Sequence, residues 1–165
     1  RVIAAVDGPA FGAGLNLALA CDFVVASERA RFCAVFGRIG LVPDLGGFFL
    51  LPRIVGLQRA KDLVFSAREI DVDEALQMGM VFRKVAHEQL EQNALALAER
   101  YHAASTDALG IAKNILNRSF NLDQDTLAEL ESSAQALARH TEYHDRAVAD
   151  FLAKRGLSFD GSIKP

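Results

Sequence analysis

Cysteine is scarce in the 165-residue chain, which has only Cys21 and Cys33. A single pair excludes a disulfide framework and a four-thiolate zinc site, and a chain of this kind fits a reducing, cytoplasmic location. An excess of positive charge is also missing, because 21 Asp and Glu residues outnumber 18 Lys and Arg residues and give a formal net charge of −3. Without a basic field to hold a phosphate backbone, we expect no nucleic acid as a partner.

Long apolar runs are absent as well. The most apolar stretch, residues 3–20, is interrupted by Asp7, Gly8, Pro9 and further glycines, so it lacks the roughly 18 uninterrupted apolar residues that a membrane span needs. We therefore expect no membrane as a partner. The chain opens on Arg1 and a strand-like run, without the charged start and short apolar core of a signal peptide. This opening predicts that the chain is the later portion of a longer protein.

Several catalytic motifs are missing. The chain has no Gly-x-Ser-x-Gly nucleophile elbow and no phosphate-binding loop, which disfavours triad hydrolysis and nucleotide hydrolysis. His87 has no obvious partner in the sequence. His140 and His144 are four residues apart, a spacing that predicts both on one side of a helix, but no third ligand accompanies them. We expect no metal site.

The pattern of apolar residues predicts an α/β first half and a helical second half. Predicted strands cover residues 2–6, 22–26, 31–35 and 80–85, and predicted helices cover residues 15–20, 48–55, 59–65 and 73–78. We expect a helix break near Pro52 and Gly56 and a capping box formed by Asp71 and Glu74. About four helices follow. The predicted units are residues 1–86 and 87–165.

A glycine cluster, residues 8–14, follows the first strand and opens a helix. Small residues at a helix start leave backbone N–H groups unpaired and directed outward, where the helix dipole favours negative charge. The cluster is therefore a candidate anion site. The glycines are also explained by a tight turn between strand and helix, and the segment alone favours that explanation.

Asp44 is the second candidate. It lies in a loop of apolar and glycine residues just before a predicted helix. Such neighbours predict a partly desolvated carboxylate, which raises its pKa, while the positive end of the helix acts in the opposite direction. The alternative is that Asp44 caps the helix. The sequence does not decide between the two.

Taken together, several separated motifs strongly resemble the crotonase, or enoyl-CoA hydratase/isomerase, family. The resemblance runs from Arg1 to about Phe159 and rests on these stretches: Val2–Gly14, Ala20-Cys21-Asp22, Arg31-Phe32, Ile39–Gly47 and Leu51–Gly56. It implies a crotonase-like spiral of ββα units truncated at the N-terminus, a helical C-terminal region that contributes to trimerisation, and acyl-CoA substrates. It also implies a homotrimer or hexamer.

The resemblance assigns roles to particular residues. The N–H of Ala13 takes the position of one donor to the thioester oxygen, and the other donor belongs to a segment upstream of Arg1. Hydratases of the family have glutamates where this chain has Asn16 and Phe36, so two-acid hydration is disfavoured and Asp44 is the carboxylate left as general acid/base. With half of the oxyanion hole, the chain is expected to have feeble activity alone.

The pattern looks most like the branch that contains the ring-epoxide isomerases of phenylacetate breakdown and related enoyl-CoA isomerases. We therefore expect double-bond isomerisation, without a metal or a redox cofactor, coenzyme A being part of the substrate. The resemblance also places five residues at the acyl group: Ala10, Gly12, Asn16, Val35 and Phe36. Lys154 is a candidate for contact with CoA phosphates, although a solvated pair of charges with Arg155 is the favoured explanation. Hydration, nucleophilic attack by Asp44 as in aryl-CoA dehalogenases, and a non-catalytic CoA-binding or assembly role remain alternatives.

Overall fold

Short strands and helices alternate along the first part of the chain. The structure is a computed structural model that describes residues 1–159, and the chain divides into two compact units, Arg1–Ala98 and a second that begins at Glu99. The described residues form six strands: β1 (Ile3–Val6), β2 (Pro9–Phe11), β3 (Phe23–Ser27), β4 (Arg31–Cys33), β5 (Glu69–Asp71) and β6 (Arg83–Val85). They also form eight α-helices: α1 (Ala13–Leu19), α2 (Gly47–Val55), α3 (Leu57–Ser66), α4 (Val72–Gln77), α5 (Leu90–Arg100), α6 (Thr106–Arg118), α7 (Gln124–Arg139) and α8 (Glu142–Leu152).

The strands of the first unit form two three-stranded sheets. One has the order β1-β3-β6 and is parallel, with Val6 opposite Ala26. The other has the order β2-β4-β5, where β2 pairs with β4 in parallel and β4 pairs with β5 in antiparallel. Consecutive strands therefore enter different sheets before a helix follows, which is the predicted ββα order. The α/β class is confirmed, whereas β2 and β5 have no counterpart in the strands that the sequence predicts.

The core of the first unit lies beneath α1. Leu15 and Phe32 are each 1% exposed, and Ala26 in the central strand β3 is fully buried in the same cluster. A Leu or Phe side chain contributes roughly 1.5–3 kcal/mol when it is fully removed from water. This packing holds α1 on the sheets and so fixes where its first turn begins.

Helix α2 runs through Pro52 and ends at Gly56, which has a φ of 82°. The predicted helix over residues 48–55 is therefore confirmed, and its division from the next helix lies at Gly56 rather than at Pro52. Leu51 and Val55 on either side of the proline are 3% and 5% exposed. Because both are buried, packing on the core maintains the helix across a residue that lacks an N–H.

Half of the predicted capping box is present at the start of α4. The Asp71 carboxylate accepts the N–H of Glu74 at 2.9 Å, and this hydrogen bond is the main cause of a lowered Asp71 pKa. The Glu74 carboxylate does not return the contact, because it binds Arg68 at 2.6 Å and 2.9 Å. Arg68 also binds Asp62, which joins the end of α3 to the start of α4.

The helices predicted for the second half are confirmed as α5 to α8. The boundary between the two units falls inside α5, after Ala98. The sequence predicts this boundary after residue 86. Ser105 caps α6 and Asp123 caps α7, each accepting a backbone N–H. None of the residues of α6, α7 and α8 is buried. Among residues 1–159, the helices include none whose length and apolar character would suffice to cross a bilayer.

Candidate active site

The first turn of α1 begins at a glycine. Gly12 follows β2 with a φ of 54° and caps the helix without any side-chain hydrogen bond. A Cβ there would lie 3.2 Å from Val35 Cγ1 and 3.5 Å from Phe36 Cζ, so both the backbone conformation and the close approach favour glycine. Ala13 comes next and is exposed. As the first helical residue, its N–H has no acceptor within the helix.

Three of the residues predicted at the acyl group are brought together here. Val35 and Phe36 belong to a 3₁₀ turn, Val35–Ile39, that follows β4, and both are half-buried. Gly12 donates its N–H to the carbonyl oxygen of Cys33 at 2.9 Å, which joins the start of α1 to the strand before this turn. Ala10 in β2 belongs to the core and is 7% exposed. This arrangement leaves a half-buried aromatic side chain beside the helix start.

Asp44 lies in the loop between the 3₁₀ turn and α2, and it is exposed. The predicted partial desolvation is therefore wrong in this chain, because the apolar neighbours Val42 and Leu45 are themselves 67% and 65% exposed and do not cover the carboxylate. The alternative prediction, a helix cap, is wrong too. Gly46 occupies the N-cap of α2, and no side chain makes a cap hydrogen bond.

The main chain of Asp44, unlike its side chain, is firmly held. Its carbonyl oxygen accepts the N–H of Gly47 at 2.8 Å and the side-chain Nδ2 of Asn16 at 2.8 Å. Asn16 lies in α1 and is 2% exposed. The sequence predicts Asn16 as a pocket residue and gives no pairing with Asp44. One signal in the sequence could have indicated that Asn16 has a hydrogen-bond partner. Asn16 lies between the apolar residues Leu15 and Ala18 of a predicted helix, and a buried amide side chain needs a partner.

His87 has a partner that the sequence did not indicate. Its Nδ1 lies 2.9 Å from Oδ2 of Asp7, and Asp7 also accepts hydrogen bonds from Ser27 at 2.6 Å and Arg29 at 3.0 Å. The hydrogen bond from Ser27 above all, with His87 and Arg29, holds the pKa of Asp7 below its ordinary value, although partial burial opposes them. These residues meet because β1, β3 and β6 are parallel, so their carboxyl ends share one edge.

His140 and His144 do not share a helix face. Helix α7 ends at Arg139, His140 is its C-cap, and the hydroxyl of Thr141 accepts the N–H of His144 at the start of α8. The predicted arrangement on a single helix is wrong because Thr141 caps a new helix between them. Within residues 1–159, no group of three or more His, Cys, Asp or Glu side chains is arranged to hold a metal ion.

Lys154 follows the end of α8 in the left-handed region, with a φ of 55°. It is exposed, and its backbone N–H donates to the carbonyl oxygen of Phe151 at 3.0 Å. The neighbouring Arg155 pairs with Asp150 at 2.7 Å. The predicted contact of Lys154 with CoA phosphates stays a prediction.

Comparison with known proteins shows the family to which the chain is similar. The family model for enoyl-CoA hydratase/isomerase matches residues 1–162. The 1,2-epoxyphenylacetyl-CoA isomerase of Escherichia coli K12 is 38% identical over 160 residues, which are 97% of this chain and 61% of that protein. The short-chain-enoyl-CoA hydratase of Clostridium acetobutylicum is 37% identical over 156 residues, which are 94% of this chain and 60% of that protein.

A solved structure gives the same result. The enoyl-CoA hydratase/isomerase from Cupriavidus metallidurans CH34 superposes with a TM-score of 0.94 at 48% identity, covering 99% of this chain and 62% of that one. The chain thus spans about 60% of the length of the curated relatives described above. With a family model that matches nearly the whole chain and a shared fold, the chain belongs to the enoyl-CoA hydratase/isomerase family.

Proposed function

We propose that this chain acts on acyl-CoA thioesters and moves a carbon–carbon double bond, with Asp44 as the general acid/base. The observation that supports this most is the 2.8 Å hydrogen bond from Asn16 to the main chain of Asp44. It ties the loop that carries the carboxylate to α1, the helix that begins at Ala13. The proposed base, Asp44, and the proposed oxyanion donor, Ala13, therefore lie on two segments that are joined by a hydrogen bond.

The proposed reaction consists of two proton transfers. Asp44 removes a proton from the carbon next to the thioester carbonyl, and the electron pair left behind forms an enolate conjugated with the double bond. The N–H of Ala13 donates to the enolate oxygen, a contact of the kind worth about 3 kcal/mol in a transition state. Asp44 then returns the proton to the far end of the conjugated system. No net oxidation occurs, so the reaction requires no redox cofactor.

The surroundings of Asp44 suit a substrate with an apolar acyl group. The carboxylate is exposed in the chain alone, and Val42, Leu45 and Phe48 around it are 67%, 65% and 60% exposed. A bound acyl chain would contact these side chains and remove water from Asp44 at the same time. Exclusion of water strengthens the electrostatic interactions on which such a proton transfer depends.

Hydration is the second candidate, since several relatives bear the name of a hydratase. Against it stand Asn16, whose amide is engaged by Asp44, and Phe36, a phenyl ring; neither can take a proton from water. Nucleophilic attack by Asp44 on an aryl-CoA halide and a non-catalytic CoA-binding or assembly role are further alternatives. These outcomes differ in the product formed.

The test is a product assay with a 3-enoyl-CoA and with crotonyl-CoA. We expect double-bond migration with the first substrate, no hydration of the second, and loss of migration in Asp44→Asn. Hydration without migration would replace the proposal by the hydratase. A covalent adduct on the chain, detected by intact mass spectrometry after incubation with a halogenated aryl-CoA and absent in Asp44→Asn, would favour the nucleophilic alternative. CoA binding without turnover would favour the non-catalytic role.

We propose in addition a homotrimer or a dimer of trimers. Large apolar side chains in the second unit support it, for Phe120 and Phe151 are 76% and 70% exposed in the single chain. Such side chains are commonly covered in an oligomer. Sedimentation equilibrium distinguishes the outcomes: a mass of three or six chains is expected, and a monomer at every concentration would contradict the proposal.

A further inference from the structure

We infer that Asn16 is a positioning residue for Asp44, and that Gly47 lacks a side chain so that this contact can form. The inference rests on the proposed function, in which Asp44 transfers the proton. It assigns the Asn16 amide to the loop that carries the base, whereas the family resemblance implies contact with the acyl group.

The first observation is the hydrogen bond itself. Asn16 is 2% exposed, and its Nδ2 donates to the Asp44 carbonyl oxygen across 28 residues of sequence at 2.8 Å. The same oxygen accepts the N–H of Gly47 at 2.8 Å. A carbonyl oxygen has two lone pairs, so the two donors together satisfy it. With its peptide plane fixed in this way, Asp44 directs its side chain from a defined backbone.

The second observation is the backbone that follows. Leu45 has a φ of 43°, a left-handed conformation that residues other than glycine and asparagine seldom adopt, and Gly46 continues it with a φ of 82°. A conformation of this kind costs roughly 1–3 kcal/mol and persists only where surrounding contacts enforce it. The bonds to the Asp44 carbonyl oxygen lie immediately before it.

The third observation is the space at Gly47. A Cβ on this residue would lie 2.6 Å from Nδ2, 2.8 Å from Oδ1 and 2.9 Å from Cγ of Asn16. Gly47 is a helical residue outside the positive-φ glycines, so its backbone conformation would permit alanine. The amide of Asn16 occupies the place of the missing side chain, and the start of α2 is thereby packed against α1.

The hydrogen bond requires an amide at position 16, and an acidic side chain there could not replace it. A carboxylate is an acceptor only, so at neutral pH it cannot donate to the Asp44 carbonyl oxygen. It would instead place a negative charge against that oxygen in a buried position, which is unfavourable. Asn16→Asp is nearly isosteric and therefore tests the donor with little change in volume.

The experiment compares Asn16→Asp and Gly47→Ala with Gly110→Ala, a helical glycine in α6 where an added Cβ meets nothing within 4 Å. We expect kcat for double-bond migration to fall by about 10- to 100-fold in the first two variants with KM little changed, since a misplaced base slows chemistry more than binding. Backbone amide exchange in residues 41–47 should rise in both. Gly110→Ala should match the parent in kcat, KM and exchange.

Two kinetic outcomes would overturn the inference. A parental kcat in Asn16→Asp means that the donor does not position the base, and a raised KM with unchanged kcat means that Asn16 contacts the acyl group instead. If the variants fail to fold, NMR of the parent decides: slow exchange of the Asn16 side-chain amide protons supports the hydrogen bond, and fast exchange contradicts it. Asp44→Asn is assayed in parallel. If that variant keeps parental activity, the proposed function fails, whereas an inactive Asp44→Asn beside an active Asn16→Asp defeats this inference alone.

Discussion

The backbone N–H of Gly12 donates to the carbonyl oxygen of Cys33 at 2.9 Å. Cys33 ends β4, and the 3₁₀ turn with Val35 and Phe36 follows it directly. A backbone hydrogen bond therefore joins the start of α1 to the strand that leads into the proposed acyl pocket. Because α1 also holds Asp44 through Asn16, the helix connects the pocket wall, the proposed oxyanion donor and the proposed base.

The N–H of Ala13 can be removed without removing the helix. Proline is tolerated at the first position of a helix, where its missing N–H costs no intrahelical bond. We expect Ala13→Pro to keep the far-UV circular dichroism of the parent and to lower kcat for migration by about 100- to 1,000-fold. Ala13→Ser keeps the N–H and should be far more active than the proline variant. A folded Ala13→Pro with parental kcat would contradict the role of this N–H.

Acid should weaken the edge where the three parallel strands end. The pKa of Asp7 is lowered in the folded protein, first by the hydrogen bond from Ser27, so ionised Asp7 stabilises the fold above the ordinary pKa of 3.8 and this stabilisation is lost as the pH falls through the lowered value. Urea unfolding of the parent and of Asp7→Asn should differ at pH 7 and converge in strong acid. An equal difference at both pH values would contradict the assignment.

Ser27→Ala tests the cause of that shift. Ser27 is fully buried, and its hydroxyl donates to Asp7 at 2.6 Å. Without the donor, the pKa of Asp7 followed by NMR should rise toward its ordinary value, because the largest stabilising contact of the carboxylate is gone. An unchanged titration would place the cause in His87 and Arg29 instead.

Lys154 allows a backbone effect to be separated from a charge effect. Its φ of 55° is unfavourable for a residue with a Cβ, so Lys154→Gly should raise the free energy of unfolding by about 1 kcal/mol. Lys154→Ala removes the same charge but keeps the Cβ, and it should give no such gain. If Lys154 binds CoA phosphates, both variants raise KM for the thioester. A gain with Gly and an unchanged KM in both would assign Lys154 to the helix end alone.

Local patterns were sufficient to predict much of the fold. The apolar spacing in the second half predicts α5 to α8, and Asp71 predicts the start of α4 through its cap. The pattern fails where long-range packing decides: Pro52 stays inside α2 because Leu51 and Val55 are buried beside it. Likewise β2 has only three residues and contains Pro9, so its pairing with β4 is not visible in the sequence.

Some features of the candidate site could likewise be predicted from the sequence, and others could not. The glycine at the helix start and its nearness to Phe36 follow from motifs that the family resemblance brings into one place. The hydrogen bond between Asn16 and Asp44 joins residues 28 positions apart and depends on how α2 packs on α1, which no local pattern encodes. The exposure of Asp44 could not be predicted either, since apolar neighbours along the chain do not cover a side chain unless they fold over it.

Deuterium incorporation tests the central claim most directly. In the proposed reaction Asp44 begins each turnover as a carboxylate and holds the abstracted proton only while the enolate is bound, so a 3-enoyl-CoA deuterated at the α carbon should deliver deuterium to the far carbon of the product in ordinary water. We predict this transferred deuterium in the product of the parent and its loss, together with migration itself, in Asp44→Asn. Labelling by Asp44→Asn at the parental rate would contradict the account.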